Sequence, residues 1–175
     1  SLTTLALLEL LPPGVSRLAG EVSLDGAPLN RAGQAALRGA TLGYVQQAPR
    51  AGFNPLVTIG RHFQETLALD GMRGAAATRR MLELLRDVGF AAPESVPGLY
   101  PSQLSGGMLQ RAMIALTLCR TPAFLLADEP TTDLDLVVQA QILDLLDRLV
   151  VERGIGLLLV THDLYIIARL ADEVA

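Results

Sequence analysis

Two adjacent carboxylates, Asp128 and Glu129, carry the strongest chemical signal in the sequence, because they follow a continuous apolar run at residues 123–127. Such a run predicts a parallel strand buried on both faces, and ligands of open α/β sheets bind beyond the carboxyl ends of their strands. One carboxylate there could hold Mg²⁺, directly or through water, and the other could orient or deprotonate an attacking water. The structural alternative is an acidic turn between a strand and a loop.

A second group, Ser105, Gly106 and Gly107, is typical of an anion site. Ser105 is an N-cap residue type, and the two glycines stand in the first turn of the helix predicted to begin there. The free N–H groups and the dipole of a helix terminus attract anions, and glycine lets a phosphate approach the backbone closely. Taken alone, the same three residues are common at helix starts that bind nothing.

His162 follows a second apolar run at residues 156–160, which again predicts a strand buried on both faces. If this strand neighbours the one at residues 123–127, the imidazole stands beside the acidic pair, because parallel strands end at one edge of their sheet. A histidine that only caps a loop is the alternative. His62 lies in a helical region that also carries Arg61 and Glu65, and we predict a solvated surface position for it.

Gln47 opens a loop after a strand predicted at residues 41–45. A neutral amide at the end of a strand can ligate a metal through its oxygen and still move away with its loop. A polar loop residue without further role is the alternative.

The remaining pattern indicates the elements that position these residues. Residues 2–11 predict a helix that is apolar nearly all round and therefore buried. A strand at residues 20–24 leads into an Asp25-Gly26 turn. Residues 56–120 are helical, with two apolar stripes and a helix end at Gly89; the stripes are Ile59, Phe63 and Leu67, and Met81, Leu82, Leu85 and Val88. After residue 120 strands and helices alternate, which implies a parallel sheet with helices packed on it.

The composition of the 175 residues narrows the possible functions. Half of the residues are hydrophobic and 18% are charged, which excludes disorder and allows a sizeable core. The net charge of −4 opposes a general nucleic-acid binder. Cys119 is the only cysteine, so no internal disulfide can form, and we predict a small buried apolar role for it. No segment is long and apolar enough to predict a membrane span.

Together these groups resemble, in order and spacing, the ATP-binding cassette (ABC) ATPases. In that family a Gln-bearing loop precedes a helical subdomain, and a Leu-Ser-Gly-Gly signature, an Asp-Glu strand end, a Thr-Asp-Leu-Asp loop and a switch histidine follow. The resemblance implies an α/β fold, a P-loop NTPase-like parallel sheet flanked by helices. Residues 1–55 and 121–175 would form the two parts of a RecA-like core, and residues 56–120 an inserted helical subdomain with the signature.

Within the family the chain looks most similar to the peptide/nickel importer group. The residues that carry this likeness are Phe53-Asn54-Pro55, Tyr100-Pro101 and Met108-Leu109-Gln110-Arg111. Asp133, where peptide relatives usually carry alanine, favours the nickel-import ATPases.

The resemblance also implies ATP and Mg²⁺ as cofactors and a role for each residue around them. Asp128 would bind Mg²⁺ through water, Glu129 would polarise the hydrolytic water, and His162 would contact the γ-phosphate. Gln47 would sense the metal and the γ-phosphate and transmit their state to a membrane partner.

The resemblance gives the signature a role in a dimer. Ser105, Gly106 and Gly107 would contact the ATP held by an opposing subunit, and Asp135 would shape the interface between the subunits.

The chain departs from the family at its first residues. Members carry a glycine-rich phosphate loop that ends in Gly-Lys-Ser or Gly-Lys-Thr before the first helix. Here all 14 basic residues are arginines, and Ser1 opens the predicted helix directly. The resemblance implies that Ser1 is the last residue of that loop and a Mg²⁺ ligand beside Gln47 and Asp128. We expect these 175 residues alone to be inactive and unable to hold ATP.

The function implied is that of an ATP-hydrolysing subunit that energises an ABC importer for nickel or peptides. The expected partners are membrane permease subunits, a second ATPase in a head-to-tail homo- or heterodimer and, indirectly, a substrate-binding protein, without nucleic acid. The expected location is peripheral, at the cytoplasmic face of the inner membrane.

Two alternatives remain open at this stage. A DNA-maintenance ATPase of the ABC type shares the signature and the acidic strand end, although long coiled coils or zinc modules usually interrupt its domain. A degenerate interaction subunit that binds no nucleotide would fit the missing phosphate loop. The presence of Gln47, Glu129 and His162 opposes this second alternative.

Overall fold

A three-stranded parallel sheet organises the fold. The computed structural model describes residues 1–175 and orders the sheet β3-β4-β5, formed by Leu42–Val45, Phe124–Asp128 and Gly156–Val160. Val45 pairs with Ala127, and Asp128 pairs with Val160, so the carboxyl ends of all three strands lie side by side. The predicted α/β fold with a parallel sheet is confirmed.

Seven α-helices surround this sheet, and a small hairpin precedes its first strand. The helices are α1 Leu2–Leu7, α2 Arg31–Leu37, α3 Ile59–Ala68, α4 Gly74–Asp87, α5 Gly106–Thr117, α6 Leu136–Arg153 and α7 Leu164–Leu170. The hairpin strands are β1 Ser23–Leu24 and β2 Ala27–Pro28. Asp25 and Gly26 join them, both with positive φ, as a two-residue hairpin turn requires. No helix is both long enough and apolar enough to cross a membrane.

The helices between β3 and β4 form as their apolar stripes predict. Ile59, Phe63 and Leu67 of α3 are buried, and α4 ends before Gly89, whose φ of 90° suits a glycine after a helix. Backbone hydrogen bonds from Ile59 to Leu99 and from Gly60 to Pro97 hold the start of α3 against the loop before α5. One cluster of 27 buried residues joins these helices to the sheet.

Helix α5 crosses the sheet at close range because Gly43 has no side chain. A Cβ at this residue of β3 would lie 2.5 Å from Cγ2 of Thr117, nearer than real atoms approach. The glycine therefore fixes how closely the helix that carries the signature approaches the sheet.

Helix α1 is shorter and more exposed than the sequence predicts. It ends at Leu7, and Glu9 then adopts a left-handed backbone with φ of 51°. Hydrogen bonds from Leu10 to the Leu5 carbonyl and from Glu9 to the Ala6 carbonyl close the helix in a Schellman motif. Within the helix only Thr4 is buried, so the prediction of a helix over residues 2–11 buried on all sides was wrong.

Strand β5 is not buried on both faces as its apolar run predicts. It pairs only with β4, and none of its five residues is fully buried. Leu158 stays 44% exposed. A continuous apolar run predicts two covered faces, whereas this strand lies at the edge of the sheet of this chain.

Candidate functional site

Asp128 is a buried carboxylate at the end of the central strand. Its side chain is 2% exposed, and its Oδ2 atom accepts hydrogen bonds from the hydroxyl groups of Thr4, at 2.8 Å, and Tyr44, at 3.2 Å. Burying a charge is costly unless it is paired and hydrogen-bonded, and here elements far apart in sequence supply the donors.

Glu129 leaves the strand with an unusual backbone. Its φ is 48°, in the left-handed region that non-glycine residues seldom adopt, and its N–H group still donates to the Val160 carbonyl at 2.9 Å. The side chain is 19% exposed, and its Oε2 accepts a hydrogen bond from Thr132 at 3.1 Å. This turn directs the carboxylate beyond the end of the sheet. Residues with such a strained backbone are uncommon, and they cluster at functional sites.

His162 stands beside this carboxylate, as the sequence predicts for neighbouring strands. Its Nδ1 lies 2.5 Å from Oε1 of Glu129, and its backbone N–H donates to the same oxygen at 3.2 Å. The hydrogen bond and the negative charge of Glu129 raise the pKa of His162 above its ordinary value, and Asp163 adds a smaller effect. The ring is 83% exposed and therefore open to a ligand.

Gln47 lies at the same edge of the sheet but outside this hydrogen-bonded group. It is exposed in a bend after β3, whose last residue pairs with Ala127 next to Asp128. Its neighbour Gln46 packs against Gly52 instead, where a Cβ would lie 2.1 Å from the Gln46 amide nitrogen. The structure thus brings Gln47 to the edge, and its predicted contact with a metal stays a prediction.

The signature residues form an exposed helix start. Ser105 caps α5 by accepting a hydrogen bond from the Met108 N–H at 3.3 Å, and both Ser105 and Gly106 are exposed. Gly107 faces α6, because a Cβ there would lie only 2.4 Å from Cγ1 of Val138. A glycine at this position therefore has a packing reason within the chain, in addition to the approach of a phosphate that the sequence suggests.

Asp135 connects the acidic strand end to the same helix pair. Its carboxylate caps α6 by accepting hydrogen bonds from the N–H groups of Val137, at 3.1 Å, and Val138, at 3.0 Å. The preceding Leu134 stands opposite Gly106, where a Cβ would lie 3.4 Å from the leucine methyl group. Residues 134–138 therefore contact the signature from the inside of the molecule.

Known proteins that resemble this chain identify its family. The profile of the ABC transporter family matches residues 3–132, about three quarters of the chain. The chain belongs to the ABC transporter family. It is 50% identical over all 175 residues to the nickel import ATP-binding proteins NikD of Rhodospirillum rubrum and of Pseudomonas putida. It covers 66% and 67% of their lengths, so the chain spans about two thirds of these relatives.

Solved structures of ABC cassettes share the fold. The ATP-binding cassette MJ0796, in a dimeric post-hydrolysis state bound to ADP and Pi, superposes with a TM-score of 0.72 at 32% identity. A second dimeric structure of MJ0796, described as a bacterial ABC transporter cassette, gives 0.71 at the same identity. Each match covers 85% of this chain and 65% of the other. The sequence-based resemblance to ABC ATPases, and to nickel importers among them, is confirmed.

The group of side chains at the sheet edge fits a metal that takes most of its ligands from a bound phosphate and water. No three histidine, cysteine, aspartate or glutamate side chains converge anywhere in the chain. The oxygen groups available to such a metal include the Asp128 carboxylate and the Ser1 hydroxyl, which the Thr4 hydroxyl connects, and the Gln47 amide on the bend after β3. Mg²⁺ prefers such oxygen ligands and usually binds through one or two carboxylates together with substrate phosphates.

Sequence reasoning missed two residues of this candidate site, Thr4 and Tyr44. Both donate to Asp128 across the fold, and neither belongs to a motif. The signal for Thr4 was available, because a hydroxyl three residues after Ser1 lies on the same face of a helix. Nothing local marks Tyr44.

Two further predictions concern residues outside the site. His62 is partly exposed: its ring packs edge to face with Phe53 at 5.1 Å and its Nε2 lies 3.4 Å from the Asn54 carbonyl, so it is a surface residue with local contacts rather than a fully solvated one. Cys119 is buried as predicted, and burial raises the pKa of its thiol to about 12.

Proposed function

We propose that this protein is the ATP-hydrolysing subunit of an ABC importer. The observation that carries the proposal is the contact of Glu129 with His162 immediately beyond the buried Asp128, at the ligand-binding edge of a parallel sheet. Phosphoryl transfer needs positioned groups and stabilised charge more than covalent chemistry. Three groups at one edge of the sheet meet that need: the Asp128 carboxylate for a metal, the Glu129 carboxylate for a water and the His162 imidazole.

Asp128, Ser1 and Gln47 would hold Mg²⁺ together with the phosphates of ATP. The bound Mg²⁺–ATP supplies the transferred phosphoryl group and a metal charge that neutralises the phosphate oxygens. Asp128 would act through a bound water. Because Gln47 lies on an exposed bend, its amide can leave the metal when the loop moves.

Glu129 would polarise the attacking water, and His162 would help to place it. Thr132 fixes one oxygen of Glu129 and His162 the other, so the carboxylate has little freedom to rotate. The raised pKa of His162 keeps the ring protonated closer to neutral pH, which places a cation where negative charge develops on the γ-phosphate.

The signature would complete the site of a second subunit. Ser105 and Gly106 are exposed at the start of α5 and present free N–H groups, which suit the phosphates of an ATP held by an opposing ATPase. Asp135 would shape the interface of that head-to-tail dimer. The dimeric state of the MJ0796 cassette supports this arrangement.

We further infer that the transported substrate is nickel rather than a peptide. The names of the relatives and the residue Asp133 support this preference. The partners would be membrane permease subunits and, through them, a substrate-binding protein, with the ATPase peripheral at the cytoplasmic face of the inner membrane. Uptake of radioactive nickel by cells that carry the complete transporter, compared with uptake of a labelled dipeptide, tests this choice.

The substitution Glu129→Gln tests the proposed reaction in the protein at its natural length. We expect ATP hydrolysis to fall by about a hundredfold or more, since a positioned general base contributes that much, while ATP stays bound in a stable dimer. Glu152→Gln is the matched control, because this exposed glutamate on α6 makes no ion pair. Normal turnover in the Glu129→Gln protein would remove Glu129 from this role. A wild-type protein that binds no ATP would favour a degenerate interaction subunit.

A further inference from the structure

Tyr44 reaches the metal carboxylate from the neighbouring strand. Its hydroxyl donates to Oδ2 of Asp128 at 3.2 Å, although Tyr44 pairs with Leu126, two residues before Asp128 on β4. Two residues of strand span about 6.6 Å, so only a long side chain that leans along the strand can bridge this gap. A phenylalanine would extend along the same path and lack the proton.

The two carboxylate oxygens of Asp128 differ in their hydrogen bonds. The hydrogen bonds from Thr4 and from Tyr44 both fall on Oδ2. Two hydroxyl donors from different elements fix the plane of the carboxylate and leave Oδ1 free to accept from a metal-bound water. Partners of this kind orient a ligand and set its basicity, and their loss typically weakens metal binding by about 10–100-fold.

We propose that Tyr44 is a positioning residue that orients Asp128 for Mg²⁺, an inference that rests on the proposed function. The residue acts through Asp128 and contacts neither metal nor nucleotide. It is outside every motif that defined the site, and only the fold brings it there.

The position of β3 does not depend on the phenol group of Tyr44. Gly43 packs against Thr117 of α5, and Val45 is fully buried in the core. The Thr117 hydroxyl also donates to the Tyr44 carbonyl at 3.4 Å. These contacts use the backbone and the neighbouring side chains, so Tyr44→Phe removes one hydroxyl and leaves the strand in place.

The experiment compares Tyr44→Phe with the wild type at natural length, with Mn²⁺ as the probe for Mg²⁺. Electron paramagnetic resonance measures Mn²⁺ binding in the presence of ADP, without turnover. We expect Mn²⁺ to bind about tenfold more weakly to the variant. ADP affinity in the presence of a metal chelator should stay unchanged. Tyr165→Phe is the control, because that ring is 67% exposed and its hydroxyl has no hydrogen bond within the chain.

Each outcome decides a separate point. Equal Mn²⁺ affinity in Tyr44→Phe and wild type overturns the inference and leaves the proposed function standing. A wild type that binds no Mn²⁺–ADP overturns the proposed function instead. Circular dichroism gives the folded fraction, and a Mn²⁺ deficit that disappears at equal folded fraction also overturns the positioning role.

Discussion

Oε1 of Glu129 holds His162 at two points, the imidazole Nδ1 at 2.5 Å and the backbone N–H at 3.2 Å. The contact joins the turns that follow β4 and β5, strands that run parallel with Asp128 opposite Val160. Because one oxygen receives both donors, the ring cannot shift without changing the carboxylate. The base and the imidazole of the proposed reaction therefore respond to a ligand together.

This contact predicts the titration of His162. The pKa of the imidazole should exceed its ordinary value in the wild type, and it should fall towards that value in Glu129→Gln, because the neutral amide removes the negative charge. A group with a raised pKa stabilises the fold fully below its unfolded value of about 6.5 and loses that effect as pH rises through the folded pKa. Nuclear magnetic resonance of the ring protons against pH measures both variants. A wild-type pKa at or below that of Glu129→Gln contradicts the contact.

The approach of α5 to α6 predicts a specific steric effect at Gly107. The substitution Gly107→Ala places a Cβ 2.4 Å from a methyl group of Val138, whose branched side chain turns little in a helix. Overpacking of this kind costs about 1–3 kcal/mol, more than alanine gains over glycine in a helix. Urea unfolding measures the loss.

Two further variants test whether the stability lost in Gly107→Ala comes from packing against α6. Gly106→Ala serves as the control, because its Cβ would stand 3.4 Å from Leu134, an ordinary contact, and stability should hardly change. Val138→Ala should restore most of the stability lost in Gly107→Ala, so the double variant should lose less than the two single losses added together. Equal losses at residues 106 and 107 would show that packing against α6 is not the reason for the glycine.

Two substitutions of Asp135 distinguish its contribution to stability, as the N-cap of α6, from a contribution to ATP hydrolysis. Asp135→Ala removes two hydrogen bonds to backbone N–H groups and should lower the free energy of unfolding by about 1 kcal/mol. Asp135→Asn keeps a good cap and should be nearly neutral in the same unfolding experiment. If Asp135 also shapes a dimer interface through its charge, Asp135→Asn will lower hydrolysis although it leaves stability intact. Equal unfolding of the alanine and asparagine variants would contradict the capping role.

The sequence indicates the centre of the site well. The apolar runs of β4 and β5 and the rule that parallel strands end at one edge suffice to place His162 beside Glu129. Contacts that depend on the third dimension leave no local pattern. Tyr44 contacts Asp128, which lies 84 residues away in the sequence, and Gly107 of α5 packs against Val138 of α6.

The two incorrect predictions, the burial of α1 and of β5, also concern properties that depend on the rest of the fold. The apolar residues of α1 predicted burial on all sides, whereas the left-handed Glu9 ends the helix early and the chain covers only the face of Thr4. The run at residues 156–160 predicted two covered faces, but sheet position decides burial, and β5 is an edge strand here. Composition does not encode which strand lies at an edge.

The measurement that tests the central claim most directly is a structure of the natural-length protein with Mg²⁺ and a slowly hydrolysed ATP analogue. We predict one nucleotide at the carboxyl edge of the sheet, with Asp128 and Gln47 at the metal, Glu129 at the water and His162 at the γ-phosphate. The Gln47 oxygen should lie about 2.1 Å from Mg²⁺ if it is a ligand. A nucleotide bound elsewhere, or a γ-phosphate out of reach of both Glu129 and His162, would contradict the account.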